Sequence, residues 1–543
     1  MEAASASGAG PLRPAILRNK WFLYMTEFFA GMSVMAVELG ASRLLAPYFS
    51  SSQVVWTVII GTIMIAMALG NVLGGRSADK NPDPALLYRR LLIAAVWIAA
   101  IPFVGKYLIA GLSLLVAYFV TRNFLVWASL ACCLVIFVFP LMLLGTVTPS
   151  LAKFTMEDLD KNGETVGRLG ALNTIGSIIG TFLPTFVTIP AVGTAMTFLI
   201  FSGVLAALSC VYFFSAKSRR AQSVIAAGLI LLFGLSSLTY SFAFWEKDLA
   251  YEGESIYNYI QVKEDERKVV LSTNVLFGVQ SMKRKDAKFT GMYYDYALAA
   301  PLMAGLGAES EGDALILGLG SGTYASLLAG YFPETRVEGV EIDEKIAQLA
   351  YSHFDLSDEV KVEITDGRAY LRNAGLYDVI MVDAYQDITI PFQMSTVEFF
   401  ALVRQHLRED GVMVVNMNMR SNKEGAINDY LRDTIASVFP YVYIVNASGT
   451  NTELFASASP EMAEKLAAGA ASAGDPEFKA MMERVHEGLV EIEGGGLILT
   501  DDKAPVEVLG MRVIDEIIGD ELEYYKGMLR EEGLKGLLEH LGV

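Results

Sequence analysis

The chain has 543 residues, of which 53% are hydrophobic, and a formal net charge of −18. Residues 1–245 carry 16 Lys and Arg against 9 Asp and Glu, whereas residues 246–543 carry 26 against 51. The strong negative charge of residues 246–543 would repel the phosphate backbone of a nucleic acid. This excludes nucleic acid as an expected partner. The charge is compatible with a cationic substrate, and equally with an acidic surface that keeps the protein soluble.

Residues 1–245 are predicted to form a multi-pass α-helical membrane domain. They contain seven apolar stretches of about the 20 residues that cross a bilayer, and these lie near residues 21–46, 54–75, 88–109, 124–145, 170–190, 194–214 and 223–244. Lysines and arginines cluster in alternate loops, as expected for a cytoplasmic N-terminus. We therefore expect a lipid bilayer as partner and a multi-pass location in the cell membrane.

The three cysteines all lie in these apolar stretches, at Cys132, Cys133 and Cys210. This placement predicts neither a disulfide framework nor a cysteine metal site, and we expect no bound metal. The first apolar stretch is too long for a signal peptide and lacks a small-residue cleavage site, so no cleavable signal is predicted.

Residues 246–300 alternate apolar and polar side chains between turn signals, which predicts a small antiparallel sheet followed by a helix over "TGMYYDYALAAPLM". Residues 301–543 begin with an apolar strand, a glycine-rich turn and a helix. Further apolar strands alternate with helical stretches and are predicted at "RVEGVEID", "VKVEITD", "YDVIMVDA" and "GVMVVNMN". This order is typical of a doubly wound α/β domain.

A ligand site is predicted at the carboxyl ends of these strands, where such sheets bind ligands. Gly318, Gly320 and Gly322 allow a tight turn beneath a ligand, and Glu341 follows Gly322 by 19 residues. At that spacing an acidic side chain reaches ribose hydroxyls. The turn lacks the last glycine of G-x-G-x-x-G, the pattern that binds the pyrophosphate of a dinucleotide. This absence favours an adenosyl sulfonium compound over a dinucleotide.

Two further aspartates, Asp366 and Asp383, follow the next strands and are expected at the same edge. Asp383 ends an apolar strand, where it either caps a helix or faces the reactive centre of the ligand as a base. A base suits attack by an amine, because an ammonium with a pKa near 10 must lose its proton before it becomes a nucleophile.

The adenosyl site and the seven predicted spans place the second half of the chain on opposite sides of the membrane. Seven crossings would export the second half, whereas adenosyl cosubstrates are cytosolic. Either residues 106–121 form an eighth span, or the last stretch, which ends in "GLSSLTYSFAF", lies in the interface instead of crossing. We expect the second half on the cytoplasmic side.

Residues 250–510 resemble the spermidine synthase family of aminopropyltransferases, and the whole chain resembles bacterial fusions of a membrane domain to such an enzyme. The resemblance is carried by "ESIYNYIQV", "LFGVQS", "TGMYYDYALAAPLM", "LGLGSG", "VEID", "TDGRAYL", "YDVIMVDAYQDITIPFQMSTVEFF" and "LTDDKAPVE". It implies a β-hairpin subdomain before a Rossmann-like core of the class I methyltransferase type. It also implies decarboxylated S-adenosylmethionine as donor, a small-molecule amine such as putrescine as acceptor, and methylthioadenosine as by-product.

The same resemblance assigns roles to individual residues. Asp383 corresponds to the catalytic aspartate and Tyr294 to the tyrosine of the amine pocket. The donor would contact Gln280 beside it, Glu341 at the ribose, and Asp366 and Gly367 at the adenine, above the turn of Gly318, Gly320, Ser321 and Gly322.

The chain departs from the family pattern at several of these positions. Ser321 replaces an aspartate that normally helps to hold the free amine of the donor and disfavours a carboxylate there, so its loss relaxes that exclusion. The aspartate expected three residues after Asp383 is Gln386, with Asp387 one step later. Amine-site residues also differ, with Asp295 where the family has histidine and Asn258 where glutamine is common.

Two alternatives stay open. One is methyl or aminocarboxypropyl transfer from S-adenosylmethionine itself, which Ser321 makes easier. The other is a transporter or sensor gated by an adenosyl ligand or a polyamine, which Glu27 and Glu38 in the first apolar stretch support, since charges at membrane depth are costly. We also expect a homo-oligomer, in the form of a dimer.

Overall fold

The computed structural model describes residues 15–156, 162–237, 240–275, 279–384, 390–421, 423–449 and 451–533. The chain divides into two compact units, Met1–Phe244 and Trp245–Val543. This division falls one residue before the end of the membrane domain predicted over residues 1–245.

All regular secondary structure described in the first unit is helical. After a short 3-10 turn at Ala15–Arg18, its helices are α1 (Lys20–Phe49), α2 (Gln53–Lys80), α3 (Pro84–Phe119), α4 (Phe124–Ile136), α5 (Val138–Gly145), α6 (Val147–Thr155), α7 (Asn162–Leu183), α8 (Ile189–Ser215) and α9 (Arg220–Ser236). A π-helical turn at Pro184–Thr188 joins α7 to α8.

Within the described ranges, five helical segments are long and apolar enough to cross a membrane. One of them, Gly163–Ser215, covers the two spans predicted at residues 170–190 and 194–214. Gly193, which has a φ of 80°, breaks the helix between these two spans. Residues 106–119 continue α3, so the candidate eighth span is not a separate helix.

Helix α9 is shorter than the span predicted over residues 223–244. Its 17 residues reach about 25 Å, against roughly 30 Å of bilayer hydrocarbon. After it, residues 240–244 turn onto α1 and α3: Lys106 Nζ donates a hydrogen bond to the Ser241 carbonyl at 3.1 Å, and the Tyr48 hydroxyl donates to the Phe242 carbonyl at 2.9 Å. These bonds replace those that a continued helix would have made.

Helices α1 and α7 pack closely through glycines. A Cβ at Gly180 would lie 2.1 Å from the Met32 carbonyl oxygen, so only glycine allows this approach. Glu27 of α1 is fully buried nearby, and its Oε1 accepts hydrogen bonds from Thr148 Oγ1 at 2.5 Å and Asn173 Nδ2 at 2.9 Å. The acidic side chain of this apolar stretch therefore joins three helices through polar contacts.

The second unit begins with a four-stranded antiparallel sheet in sequential order, as the alternation in residues 246–300 predicted. Its strands are β1 (Leu249–Glu254), β2 (Tyr259–Glu264), β3 (Lys268–Ser272) and β4 (Ser281–Arg284).

An eight-stranded sheet follows, in the order β12-β10-β11-β9-β8-β5-β6-β7. Its strands are β5 (Gly312–Leu317), β6 (Thr335–Glu341), β7 (Lys361–Ile364), β8 (Tyr377–Val382), β9 (Leu407–Met417), β10 (Tyr441–Asn446), β11 (Thr452–Ser457) and β12 (Val490–Glu491). Strands β7, β6, β5, β8 and β9 are parallel, and the others continue the sheet antiparallel. This confirms the Rossmann-like α/β fold.

Helices cover both faces of this sheet, which is why β5 and β8 are apolar without alternation. They are α10 (Tyr293–Ala297), α11 (Ala299–Met303), α12 (Thr323–Tyr331), α13 (Glu344–Phe354), α14 (Gly367–Leu371), α15 (Val397–Gln405), α16 (Ile427–Ala436), α17 (Met462–Ser472), α18 (Pro476–Glu487) and α19 (Val506–Glu531). Ile260 and Leu271 of the small sheet pack with Ile346 and Leu349 of α13, which fixes that sheet beside the carboxyl edge of β6.

Candidate active site

A cavity of about 830 Å³ lies at the carboxyl edge of the parallel strands. Its wall includes residues that follow four neighbouring strands: Gly318 after β5, Glu341 at the end of β6, Asp366 after β7 and Asp383 after β8. The strand ends that were predicted to share a site therefore do share one.

The glycine turn is built as its sequence predicts. Gly318, Gly320 and Gly322 have φ values of 92°, 56° and 75°, in the left-handed region that favours glycine. A Cβ at Gly318 would lie 2.5 Å from the Asp383 carbonyl oxygen, so this position brings the ends of β5 and β8 together. Gly318 and Gly320 line the cavity, whereas Gly322 lies against Leu356 and precedes α12.

Ser321 lies behind the turn instead of on the cavity wall. Its fully buried hydroxyl shares a hydrogen bond of 2.8 Å with Thr323 Oγ1, and its backbone N–H donates to Ser281 Oγ at 3.2 Å. Thr323 is the hydroxyl residue that reaches the wall. The structure thus corrects the expectation that the Ser321 side chain faces the donor, because the turn directs its Cβ inward.

Glu341 connects β6 to the glycine turn. Its carboxylate accepts hydrogen bonds from the Gly320 N–H at 2.9 Å and from the Asp343 N–H at 3.0 Å. Burial raises the pKa of Glu341, and these amide hydrogen bonds partly offset that effect. The carboxylate keeps lone pairs for further donors, which is what a ribose ligand requires.

Asn258 joins the small sheet to this edge. Its Nδ2 donates a hydrogen bond to Asp343 Oδ2 at 3.1 Å, and Ser255 Oγ donates to the same oxygen at 2.5 Å. Asn258 lines the cavity, while Asp343 is nearly inaccessible beneath it. Sequence reasoning missed Asp343, although it is the last residue of the quoted stretch "RVEGVEID".

Asp366 and Gly367 both line the cavity beside Glu341. Asp366 Oδ1 accepts a hydrogen bond from the Ala369 N–H at 2.8 Å and so caps α14. The other oxygen of this carboxylate is available to a ligand, and contact with adenine stays a prediction for both residues.

Asp383 is half-buried just after β8 and has two side-chain hydrogen-bond donors. Its Oδ2 accepts from the Tyr293 hydroxyl, and its Oδ1 accepts from Asn416 Nδ2 at 3.2 Å. Burial raises the pKa of Asp383 to about 7; the two hydrogen bonds oppose that rise, and the charge of Glu341 adds to it. A carboxylate with such a pKa is suited to accept a proton near neutral pH.

The hydroxyl that contacts Asp383 belongs to Tyr293, the residue before the predicted amine-pocket tyrosine, Tyr294. The Tyr294 hydroxyl donates a hydrogen bond to the Gln280 carbonyl at 3.0 Å, while the two tyrosine rings lie with their centroids 4.1 Å apart. Both tyrosines and Gln280 line the cavity, so the amine-pocket role of Tyr294 stays a prediction, and Tyr293 is a wall residue that sequence reasoning missed. Burial raises the pKa of both phenols, which keeps them protonated as hydrogen-bond donors.

Asp295 does not reach the cavity wall. Its carboxylate accepts hydrogen bonds from the Thr290 N–H, the Thr290 hydroxyl and the Gly291 N–H at 2.7 to 3.1 Å. These contacts fold the turn before α10 and so fix the direction of the two tyrosines, which corrects the expectation that Asp295 binds substrate. The other predicted amine-site residues, Gln386 and Asp387, lie outside the described residues.

Comparison with known proteins identifies the family. Residues 300–465 match the family model described as "Spermine/spermidine synthase domain". A probable polyamine aminopropyl transferase from Bifidobacterium longum is 50% identical over 347 residues, which are 60% of this chain and 77% of that protein. The chain belongs to the spermine/spermidine synthase family.

Other members of the spermine/spermidine synthase family are also similar. A polyamine aminopropyltransferase from Vibrio vulnificus is 32% identical over 225 residues, or 40% of this chain and 73% of that protein. A solved structure of a probable spermidine synthase from Corynebacterium glutamicum covers 46% of this chain and 98% of its own, at 20% identity and a TM-score of 0.35. The protein is an aminopropyltransferase, as the resemblance implied.

The second unit also contains a buried acid that sequence reasoning missed. Glu453 of β11 is fully buried, and neither carboxylate oxygen has a hydrogen-bond partner among the described residues. It pairs across the strands with Asn416, which in turn contacts Asp383. Burial, with the charge of Asp383 added, raises the pKa of Glu453 well above its usual value, so its side chain is uncharged.

In the part of the chain that the structure describes, no three His, Cys, Asp or Glu side chains lie close enough together to hold a metal ion. The polar side chains that line the cavity carry carboxylates, amides, phenols and aliphatic hydroxyls. In this family member, the chemistry that these groups can supply is proton acceptance and hydrogen bonding.

Proposed function

We propose that this aminopropyltransferase moves the aminopropyl group of decarboxylated S-adenosylmethionine to a diamine such as putrescine, giving a longer polyamine and methylthioadenosine. The observation that carries the proposal is the position of Asp383. Its half-buried carboxylate lies on the wall of a cavity beside a glycine turn, with a pKa of about 7. Family membership supplies the group transferred, and this carboxylate supplies a base for the amine.

The donor fits the side of the cavity formed by β5, β6 and β7. The ribose hydroxyls would bond to Glu341, and the adenine would lie beside Asp366 and Gly367. Gly318 and Gly320 bring bare backbone to the cavity wall, which leaves room for the nucleoside at these two positions.

The transfer is an in-line displacement. The amine nitrogen attacks the methylene carbon next to the sulfonium, a C–N bond forms, and the C–S bond breaks with its electron pair going to sulfur. The ammonium of the acceptor first gives one proton to Asp383, because only the neutral amine has a free lone pair. Tyr293 and Asn416 orient the carboxylate through their hydrogen bonds.

We also propose that the first unit anchors the enzyme in the cell membrane, with the catalytic unit in the cytoplasm. The apolar helices of the first unit support anchoring. The short α9 supports an even number of crossings, since 17 residues do not reach across the hydrocarbon layer unaided. A cytoplasmic catalytic unit would have direct access to the adenosyl donor.

The direct test offers purified full-length protein each donor together with putrescine and identifies the nucleoside released. Methylthioadenosine formed from the decarboxylated donor supports the proposal. Adenosylhomocysteine formed from S-adenosylmethionine would show methyl transfer instead, and donor binding without turnover would show a sensor or transporter domain.

A further inference from the structure

The cavity continues past Asp383, away from the donor side. Its wall there includes Asn416 and Asn418 from the end of β9, Asn451 before β11, and Ile517 and Glu521 of α19. Neighbouring strands lie about 4.8 Å apart, so β11 is about 10 Å beyond Asp383 across the sheet. We call this part of the cavity, lined by these five residues, the acceptor arm.

Among the described residues of the cavity wall, one carboxylate, that of Glu521 in the acceptor arm, accepts no hydrogen bond from the protein. Glu341, Asp366 and Asp383 each accept hydrogen bonds from the protein. Glu521 is exposed, and within the described ranges it makes no hydrogen bond or ion pair. Its negative charge is therefore available to a cationic ligand.

The two nitrogens of a diamine acceptor need different environments. Both nitrogens are ammonium ions at neutral pH, but the attacking one must lose its proton to Asp383. The distal nitrogen keeps its charge, and an ammonium that leaves bulk water requires an opposite charge or hydrogen bonds in compensation. Ile517, one turn before Glu521 on the same helix face, offers apolar contact to the methylene chain between them.

We propose that Glu521 pairs with the distal ammonium of the acceptor and selects diamines and longer polyamines over monoamines. The inference rests on the proposed function, because it takes an amine as acceptor. Glu521 lies on α19, outside residues 300–465 that match the family model. The C-terminal helix of this chain thus adds a specificity residue to a catalytic centre built by the sheet.

The test compares Glu521→Gln with Glu523→Gln in the full-length protein. Glu523 is exposed on the same helix but is not on the cavity wall, so it controls for the loss of one negative charge. Putrescine and butylamine, which have the same carbon chain but differ in the second amine, are each assayed by methylthioadenosine release. Where butylamine is not turned over, its inhibition constant against putrescine replaces KM.

Glu521→Gln is expected to raise the KM for putrescine about two- to five-fold, the upper part of the range for an exposed ion pair. The butylamine constant, the donor KM and all constants of Glu523→Gln should stay unchanged. Equal changes for the two amines, or no change for putrescine, would overturn the inference while leaving the proposed function intact. A wild-type enzyme that released no methylthioadenosine with any amine would instead refute the proposed function, and the inference with it.

Discussion

The Tyr293 hydroxyl donates a hydrogen bond to Asp383 Oδ2, while the adjacent Tyr294 hydroxyl is bound to the backbone of Gln280. Two neighbouring phenols in one short helix therefore have separate functions. Tyr293 contacts the carboxylate proposed as the base, and Tyr294 attaches the helix to the residue before β4 of the small sheet.

Asp383→Asn should remove the proposed base and still allow the donor to bind. General bases contribute about 10²- to 10⁴-fold to rate, so turnover should fall by that factor. Donor affinity, measured by equilibrium binding, should fall far less than turnover, because the proposed donor contacts lie at β5 and β6. Unchanged turnover would remove Asp383 from the mechanism.

The rate constant kcat/KM for the amine should rise with pH through about 7. Burial raises the pKa of Asp383 to about 7, and only the ionised carboxylate accepts a proton. Below that pH the rate should fall about tenfold per unit as the carboxylate becomes protonated. The measurement is a pH profile from 5 to 9 at saturating donor, and a flat profile below 7 would contradict the assignment.

Tyr293→Phe should move this profile to higher pH. The hydrogen bond from Tyr293 stabilises the ionised carboxylate and lowers the pKa of Asp383. Hydrogen bonds to charged groups contribute about 1.5–3 kcal/mol, which corresponds to a shift of about one to two pH units. Tyr294→Phe is the matched control and should leave the midpoint in place; equal shifts in both variants would refute the distinction.

Glu453→Gln should stabilise the protein increasingly as pH rises. Burial holds the folded-state pKa of Glu453 well above that of the unfolded chain, so folding above about pH 4.3 requires uptake of a proton. Wild-type stability should therefore fall by about 1.4 kcal/mol per pH unit from this group between the two pKa values. Thermal unfolding of both proteins in detergent from pH 5 to 8 checks this, and a constant difference between them would show that Glu453 does not titrate in this way.

The side of the membrane can be tested with two single cysteines. Glu309→Cys lies on an exposed loop of the catalytic unit, and Ser51→Cys lies between α1 and α2. An impermeant maleimide should label Ser51→Cys in intact cells, but Glu309→Cys only after lysis. The wild-type chain controls for its three native cysteines, and labelling of Glu309→Cys in intact cells would show that the catalytic unit is outside the cytoplasm.

The residues at the carboxyl ends of strands were predictable because their positions follow from local pattern. Gly318, Glu341, Asp366 and Asp383 each come directly after or at the end of an apolar run, and parallel strands bring such ends together. The apolar stretches of the first half likewise correspond to helices, apart from the early end of α9.

The remaining site residues depend on tertiary packing. Which of two consecutive tyrosines faces β8 is decided by the turn that Asp295 folds, and no local pattern encodes that direction. Asn416 was visible as a polar residue in an apolar strand, which is a signal that could have been used. Glu521 lies among similar acidic residues on an amphipathic helix, and only the fold distinguishes it from them.

The charge of Glu341 raises the pKa of Asp383 across the carboxyl edge of the sheet. Under the proposed function, the sulfonium of a bound donor would offset this effect and favour the ionised carboxylate before the amine gives up its proton. Transfer would turn the sulfonium into an uncharged thioether, so the offset would end once Asp383 carries that proton.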